Sequence, residues 1–76
     1  MDKFYYKIDV RGYKHGYSFM VSSTDKVEDD GEVIDRALDK GLFNDETDAD
    51  YAEVDDLLTQ YDIDHFTQNG CCHSID

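Results

Sequence analysis

The sequence has 76 residues, a formal net charge of −12, 39% hydrophobic residues and no proline. A chain of this length forms one small domain with a limited core, and no apolar run approaches the ~20 residues of a membrane-spanning helix. The acidity argues against direct binding to DNA, RNA or an anionic membrane, because like charges repel, and it favours a basic protein partner. The N-terminus lacks a signal-peptide pattern and the only two cysteines, Cys71 and Cys72, are adjacent, so we expect a cytoplasmic protein.

The N-terminal part of the chain predicts a β-hairpin. Residues 3–10 alternate between two faces, one of them aromatic and β-branched, which is typical of a half-buried strand. Residues 11–16 contain two glycines and form the connection, and residues 17–23 alternate again. Such a short connection joins antiparallel strands. The predicted core residues of the hairpin are Phe4, Tyr6, Ile8, Phe19 and Val21.

A helix is predicted after a polar loop. Asp29 or Asp30 can cap it, and Asp29 with Glu32 has the spacing of a capping box. Apolar residues from Val33 to Leu38 follow the i, i+3, i+4 pattern of a buried stripe, and Gly41 suits the position just past the helix end. The acids that this pattern places on the solvent side are Asp35 and Asp39.

The segment after the acidic loop of residues 44–50 has two interpretations. Residues 50–61 can form a helix that begins at Asp50. Alternatively, residues 51–57 form a third strand, and Thr59 with Asp62 opens a short helix that ends at Gly70. We favour the strand, because it widens the sheet that the first helix covers. The predicted fold is therefore α+β, with a small antiparallel sheet packed against one or two helices in the order β-β-α-β-α. Residues 1–76 form one domain, with a loose, dispensable tail from about residue 70.

Acidic residues are concentrated in one part of the chain. Between Glu28 and Asp64, fifteen carboxylates face only Arg36 and Lys40, a net charge of −13, whereas residues 1–27 carry +2 and residues 65–76 carry −1. Such a surface can simply keep a protein soluble. It can also present carboxylates as a nucleic acid presents phosphates, so that a basic groove accepts it. In size and charge alone, the chain resembles the small acidic inhibitors of phages and mobile elements, which implies an anti-defence role. The candidate partner-binding residues are Asp35, Asp39, Asp45, Glu46, Asp48, Asp50, Glu53, Asp55 and Asp56.

Two other functions compete with this hypothesis. A cytosolic adaptor would use the hairpin aromatics Tyr5, Tyr13 and Tyr17 as its interface, with the acids only solubilising the protein. A small metal-binding protein would use the acidic loop or the C-terminal histidines and cysteines.

The sequence favours neither a metal site nor an active site. An EF-hand counted from Asn44 has Ala49 where glycine is needed and Asp55 where glutamate is needed. Cys71, Cys72 and His73 are adjacent, whereas zinc ligands occur as pairs separated by two or more residues. No nucleophile–base pair or glycine-rich phosphate loop accompanies the acids. We therefore expect no catalysis, no cofactor and no metal.

Overall fold

The computed structural model describes residues 3–11, 16–55 and 58–76, and it confirms an α+β fold. Four strands form one mixed sheet in the order β3-β1-β2-β4, in which β1 is antiparallel to β2 and β3, and β4 is parallel to β2. Within the described residues, no helix has the length and apolar character needed to cross a membrane. The elements are β1 (Phe4–Val10), β2 (Tyr17–Ser23), α1 (Asp30–Asp39), a 3₁₀ helix (Glu46–Tyr51), β3 (Ala52–Asp55), α2 (Gln60–Gln68) and β4 (Cys72–Ser74).

The hairpin pairs as its alternation predicts. Ile8 lies opposite Phe19 and Tyr6 opposite Val21, and all four side chains are buried. The prediction that Phe4 is a core residue is wrong, because Phe4 is 40% exposed. Phe4 is the first residue of β1, so it lies at the end of the sheet and outside the core cluster.

The second face of the sheet is also covered, which the hairpin pattern alone does not indicate. Met20 is fully buried and lies opposite Lys7 in the β1–β2 register. The Nζ atom of Lys7 lies 5.9 Å from the centre of the Phe66 ring of α2. Because neighbouring strand residues point to opposite faces, α2 covers the face away from Ile8, where the core cluster packs.

Helix α1 begins where the sequence predicts, although its cap differs in detail. Oδ1 of Asp29 accepts a hydrogen bond from the backbone N–H of Gly31 at 2.9 Å. The expected capping box is not formed, because the Glu32 N–H donates to the Asp29 backbone carbonyl and the Glu32 side chain lies 3.6 Å from Arg36. Gly41 follows the helix with a φ of +70°, which a residue with a Cβ rarely adopts.

The strand interpretation is confirmed for Ala52–Asp55, and the alternative helix beginning at Asp50 is wrong. Tyr51 instead ends the 3₁₀ helix, and residues 56–57 lie outside the described residues. Val54 of β3 lies opposite Ile8 of β1. Thr59 and Asp62 form the predicted capping box at the start of α2, and Gly70 follows the helix with a φ of +71°. The two caps of α2 thus stand at the positions that the local sequence indicates.

The C-terminal segment is not loose. Met20 N–H donates to the Cys71 carbonyl at 2.8 Å, and Ile75 N–H donates to the Ser22 carbonyl at 2.9 Å. Ile75 is 2% exposed and belongs to the core cluster. The segment is ordered because β2 offers it an open edge and the core offers Ile75 an apolar site, and both lie far away in sequence.

Candidate functional site

The fold brings three acidic elements together. Helix α1 packs against both the 3₁₀ helix and β3. Eight of the nine candidate residues lie on these elements or cap them, and Asp56 lies outside the described residues. Asp35 and Asp39 lie on α1, Asp45 caps the 3₁₀ helix that carries Glu46, Asp48 and Asp50, and Glu53 and Asp55 lie on β3.

Two of these acids have structural roles. Oδ1 of Asp45 accepts hydrogen bonds of 3.0 Å from both the backbone N–H and the hydroxyl of Thr47, which lower the pKa of this carboxyl. Oδ2 of Asp48 accepts a hydrogen bond of 2.7 Å from the Tyr17 hydroxyl. The same hydroxyl oxygen accepts from the backbone N–H of Asn44 at 3.0 Å. Asp45 and Asp48 therefore hold the 3₁₀ helix in shape and against β2.

The two acids of β3 are also engaged. Oε2 of Glu53 lies 3.5 Å from Nη2 of Arg11, and both side chains are largely exposed. An exposed pair of this kind contributes about 0–1 kcal/mol, but it neutralises the local charge. Asp55 also makes an interaction with another group.

Four candidate carboxylates remain that the fold does not engage. They are exposed and make no hydrogen bond or ion pair with any residue that the structure describes. We call Asp35, Asp39, Glu46 and Asp50 the open carboxylates.

The cations of α1 form no ion pair with the open carboxylates in the part of the chain that the structure describes. Arg36 lies 3.3 Å from Asp25 and 3.6 Å from Glu32, so its charge is directed toward the start of the helix. Hydrogen bonds from Ser23 and Arg36 lower the pKa of Asp25. Lys40 caps the helix end and makes no ion pair within the described ranges. Among the described residues, Asp35 and Asp39 are therefore free of direct ion pairs, although residues 35–40 carry a formal charge of zero.

Tyr5 and Tyr17, the two described aromatic residues of the adaptor hypothesis, lie on opposite faces of the sheet. Tyr17 is half-buried, stacks on Phe19 with ring centres 6.3 Å apart and bonds to Asp48. Burial, followed by the hydrogen bond to Asp48, raises the pKa of Tyr17. Tyr5 is half-buried on β1, and Tyr13 lies outside the described residues. The hydroxyl of Tyr17 thus serves the fold.

Two of the C-terminal metal-ligand candidates, Cys72 and His73, are neighbours on β4, so their side chains point to opposite faces of the sheet. The ring of His73 lies edge-to-face with the ring of Phe19 on the core side, with the ring centres 6.4 Å apart. The side chain of the neighbouring Cys72 lies on the opposite face of the sheet. Burial raises the pKa of the Cys72 thiol, which disfavours the thiolate that binds metals. The part of the chain that the structure describes contains no group of three or more histidine, cysteine or acidic residues able to hold a metal ion.

The fold also creates a groove that sequence reasoning missed. It has a volume of about 390 Å³ and lies at the end of the sheet where β1 begins. Its walls come from three distant parts of the chain, so no local sequence signal could have found it. We call it the lysine groove; it is lined by Lys3, the aromatic residues 4–6, Lys26, Leu58 and Ile63.

The open carboxylates and the lysine groove are thus two chemically opposite surfaces of one small fold. Comparison of the chain with protein-family models, curated proteins and solved structures gives no match.

Proposed function

We propose that this protein is a non-catalytic inhibitor that occupies the basic, nucleic-acid-binding groove of a partner protein by imitating phosphates. The observation that carries the proposal is the set of open carboxylates on two elements that pack together, α1 and the 3₁₀ helix. The lysines and arginines of a nucleic-acid-binding partner could contact the open carboxylates directly, because these carboxylates have no ion pairs within the described residues that would first have to be broken.

The spacing of the carboxylates on α1 supports this proposal. Asp35 and Asp39 are one helical turn apart, about 6 Å along the helix axis. One DNA strand carries a charge every ~3.4 Å along its axis, so the helix offers one carboxylate for roughly every second phosphate. Because the backbone of both helices is already ordered in the free protein, little backbone conformational entropy is lost when a partner binds.

The matched test compares two triple variants with the same change in charge. The first carries Asp35→Asn, Asp39→Asn and Glu46→Gln. The control carries substitutions of the same chemical kinds at other exposed acids, Glu28→Gln, Asp30→Asn and Asp64→Asn. Asp64 lies on α2, on the other face of the sheet, and Asp30 lies in the first turn of α1, about 7.5 Å from Asp35 and about 13.5 Å from Asp39 along the helix axis. Asp45 and Asp48 are left unchanged, because replacing them would break the hydrogen bonds of the 3₁₀ helix.

The partner is first captured from nuclease-treated host lysate at low and high salt, and it is then loaded with its DNA or RNA. We expect the parent protein to displace the nucleic acid, and raising the salt to weaken the complex, because exposed ionic contacts are screened beyond ~8–10 Å. The first triple variant should associate more slowly and bind more weakly than the control. If the parent displaces no nucleic acid, or if the two variants bind equally well, the carboxylates are not phosphate mimics.

A further inference from the structure

The lysine groove differs from the rest of the surface in both charge and polarity. Phe4 is 40% exposed at its rim, and Tyr5, Leu58 and Ile63 are half-buried along its walls. These side chains give the groove an aromatic and aliphatic lining. Such a lining contacts apolar groups well, because both partners then lose apolar surface to water.

The floor of the groove is fixed by the core. Tyr6 is 4% exposed, and its hydroxyl oxygen accepts a hydrogen bond of 2.8 Å from the backbone N–H of Val27. This bond ties the loop after β2 to the sheet, immediately beside Lys26. A buried contact of the core therefore fixes the position of the Tyr6 side of the groove relative to the loop that carries Lys26.

Its two lysines are available to a ligand. Lys3 and Lys26 are exposed, and neither forms an ion pair with an acid in the described ranges. In contrast, Lys7, Arg11 and Arg36 each lie 3.3–3.6 Å from a carboxylate. On a chain with a net charge of −12, the groove thus combines two unpaired cations with an apolar lining.

We propose that the lysine groove binds a small amphipathic organic anion. The apolar body of the ligand would lie against Phe4, Tyr5 and Ile63, and its carboxylate, sulfonate or phosphate would lie between Lys3 and Lys26. The volume of about 390 Å³ falls near the lower end of the ~300–1,000 Å³ that is usual for small-molecule sites, which suits one or two small aromatic ring systems or a short acyl chain. This binding is separate from the proposed inhibition. The groove would hold an anion through its lysines, whereas the open carboxylates would contact the cations of a partner protein.

The test uses two fluorescent probes of nearly the same shape. Anilinonaphthalene sulfonate carries an anion on an aromatic body, and N-phenylnaphthylamine has the same aromatic body without the anion. The parent should bind the sulfonate more tightly than the neutral probe, with one site per chain. The double variant Lys3→Gln, Lys26→Gln should weaken sulfonate binding by about 2- to 30-fold, the range for two exposed ionic contacts, and leave the neutral probe unaffected.

Two further variants separate the groove from general effects. Lys40→Gln removes an exposed, unpaired cation at the far end of α1 and should leave binding of both probes unchanged. Phe4→Ser removes an exposed aromatic ring and should weaken both probes. Far-UV circular dichroism of each variant checks that the probes report on folded protein.

Several results would overturn the proposal. It fails if neither probe binds, if the neutral probe binds as tightly as the sulfonate, or if the double lysine variant loses less than twofold. It also fails if a second copy of the chain covers the groove, in which case probe binding would fall and the sedimenting mass would double as the protein concentration rises.

Discussion

Ile75 provides the sharpest test of the fold, because it lies in a segment whose local sequence indicates no structure. It is 2% exposed, and its backbone N–H donates to the Ser22 carbonyl at 2.9 Å. Replacing a buried isoleucine by alanine costs about 2–5 kcal/mol, as lost transfer free energy plus the cavity left behind. A domain of this size has a total stability of roughly 4–11 kcal/mol, at about 0.05–0.15 kcal/mol per residue. We therefore expect Ile75→Ala to remove a large share of the free energy of unfolding.

The assay is urea unfolding followed by far-UV circular dichroism. The midpoint concentration should fall while the slope m stays the same, because the variant exposes nearly the same surface on unfolding. The melting temperature should fall by at least ~10 °C, at about 4–8 °C per kcal/mol for a domain of this length.

The control is Ser74→Ala, in the same segment but at an exposed position. This substitution should change the free energy of unfolding by no more than about 1 kcal/mol, because within the described residues the Ser74 hydroxyl makes only one exposed hydrogen bond, which it accepts from the Asp76 N–H at 3.3 Å. If Ile75→Ala were as stable as Ser74→Ala, the segment would not be part of the core and the pairing of β4 with β2 would contribute little. Truncation after Gly70 should destabilise the protein further, because it removes both Ile75 and β4.

Three other predictions follow from the described contacts. Ile8→Ala should cost about 2–4 kcal/mol, because Ile8 is fully buried, and an unchanged melting temperature would mean that the strand register is wrong. The pKa of Tyr17 is raised above its ordinary value of 10.0, so the stability that depends on its protonated form is present below pH 10 and is lost as the pH rises through the folded-state pKa. Tyr17→Phe should remove that part of the alkaline decline in chemical unfolding, and an identical decline in both proteins would exclude this role. The pKa of Asp45 is lowered from 3.8, so its contribution is present above that pH and is lost as the pH falls through the folded-state pKa. Asp45→Asn should therefore be less stable than the parent at neutral pH, and the difference should shrink in acid; a constant difference would contradict this assignment.

The local sequence predicted an element correctly where the pattern that defines the element involves only residues near one another in the chain. The alternation of residues 3–10 and 17–23 predicts the hairpin, and Thr59 with Asp62 predicts the start of α2. These signals work because period-two burial and helix capping involve residues that are near neighbours in sequence. The concentration of acids between Glu28 and Asp64 is likewise read from the sequence alone.

The roles of individual acids required the structure. Asp45, Asp48 and Asp50 are alike in sequence, yet Asp45 caps the 3₁₀ helix, Asp48 bonds to a tyrosine 31 residues away, and Asp50 belongs to the open carboxylates. A carboxylate that serves the fold and one that is left for a partner differ only in their neighbours.

The sequence by itself therefore determined the hairpin and the acidity of one half of the chain. It also indicated both helix starts, the second only together with the strand interpretation of residues 51–57. Only the tertiary structure decided that Phe4 is exposed, that Met20 and Ile75 are buried, and that Lys3 and Lys26 line one groove. Burial at these positions depends on which distant elements cover each face and edge of the sheet: α2 covers the side of Met20, and the open edge of β2 receives β4. Such contacts join residues that are tens of positions apart, and no periodicity along the chain encodes them.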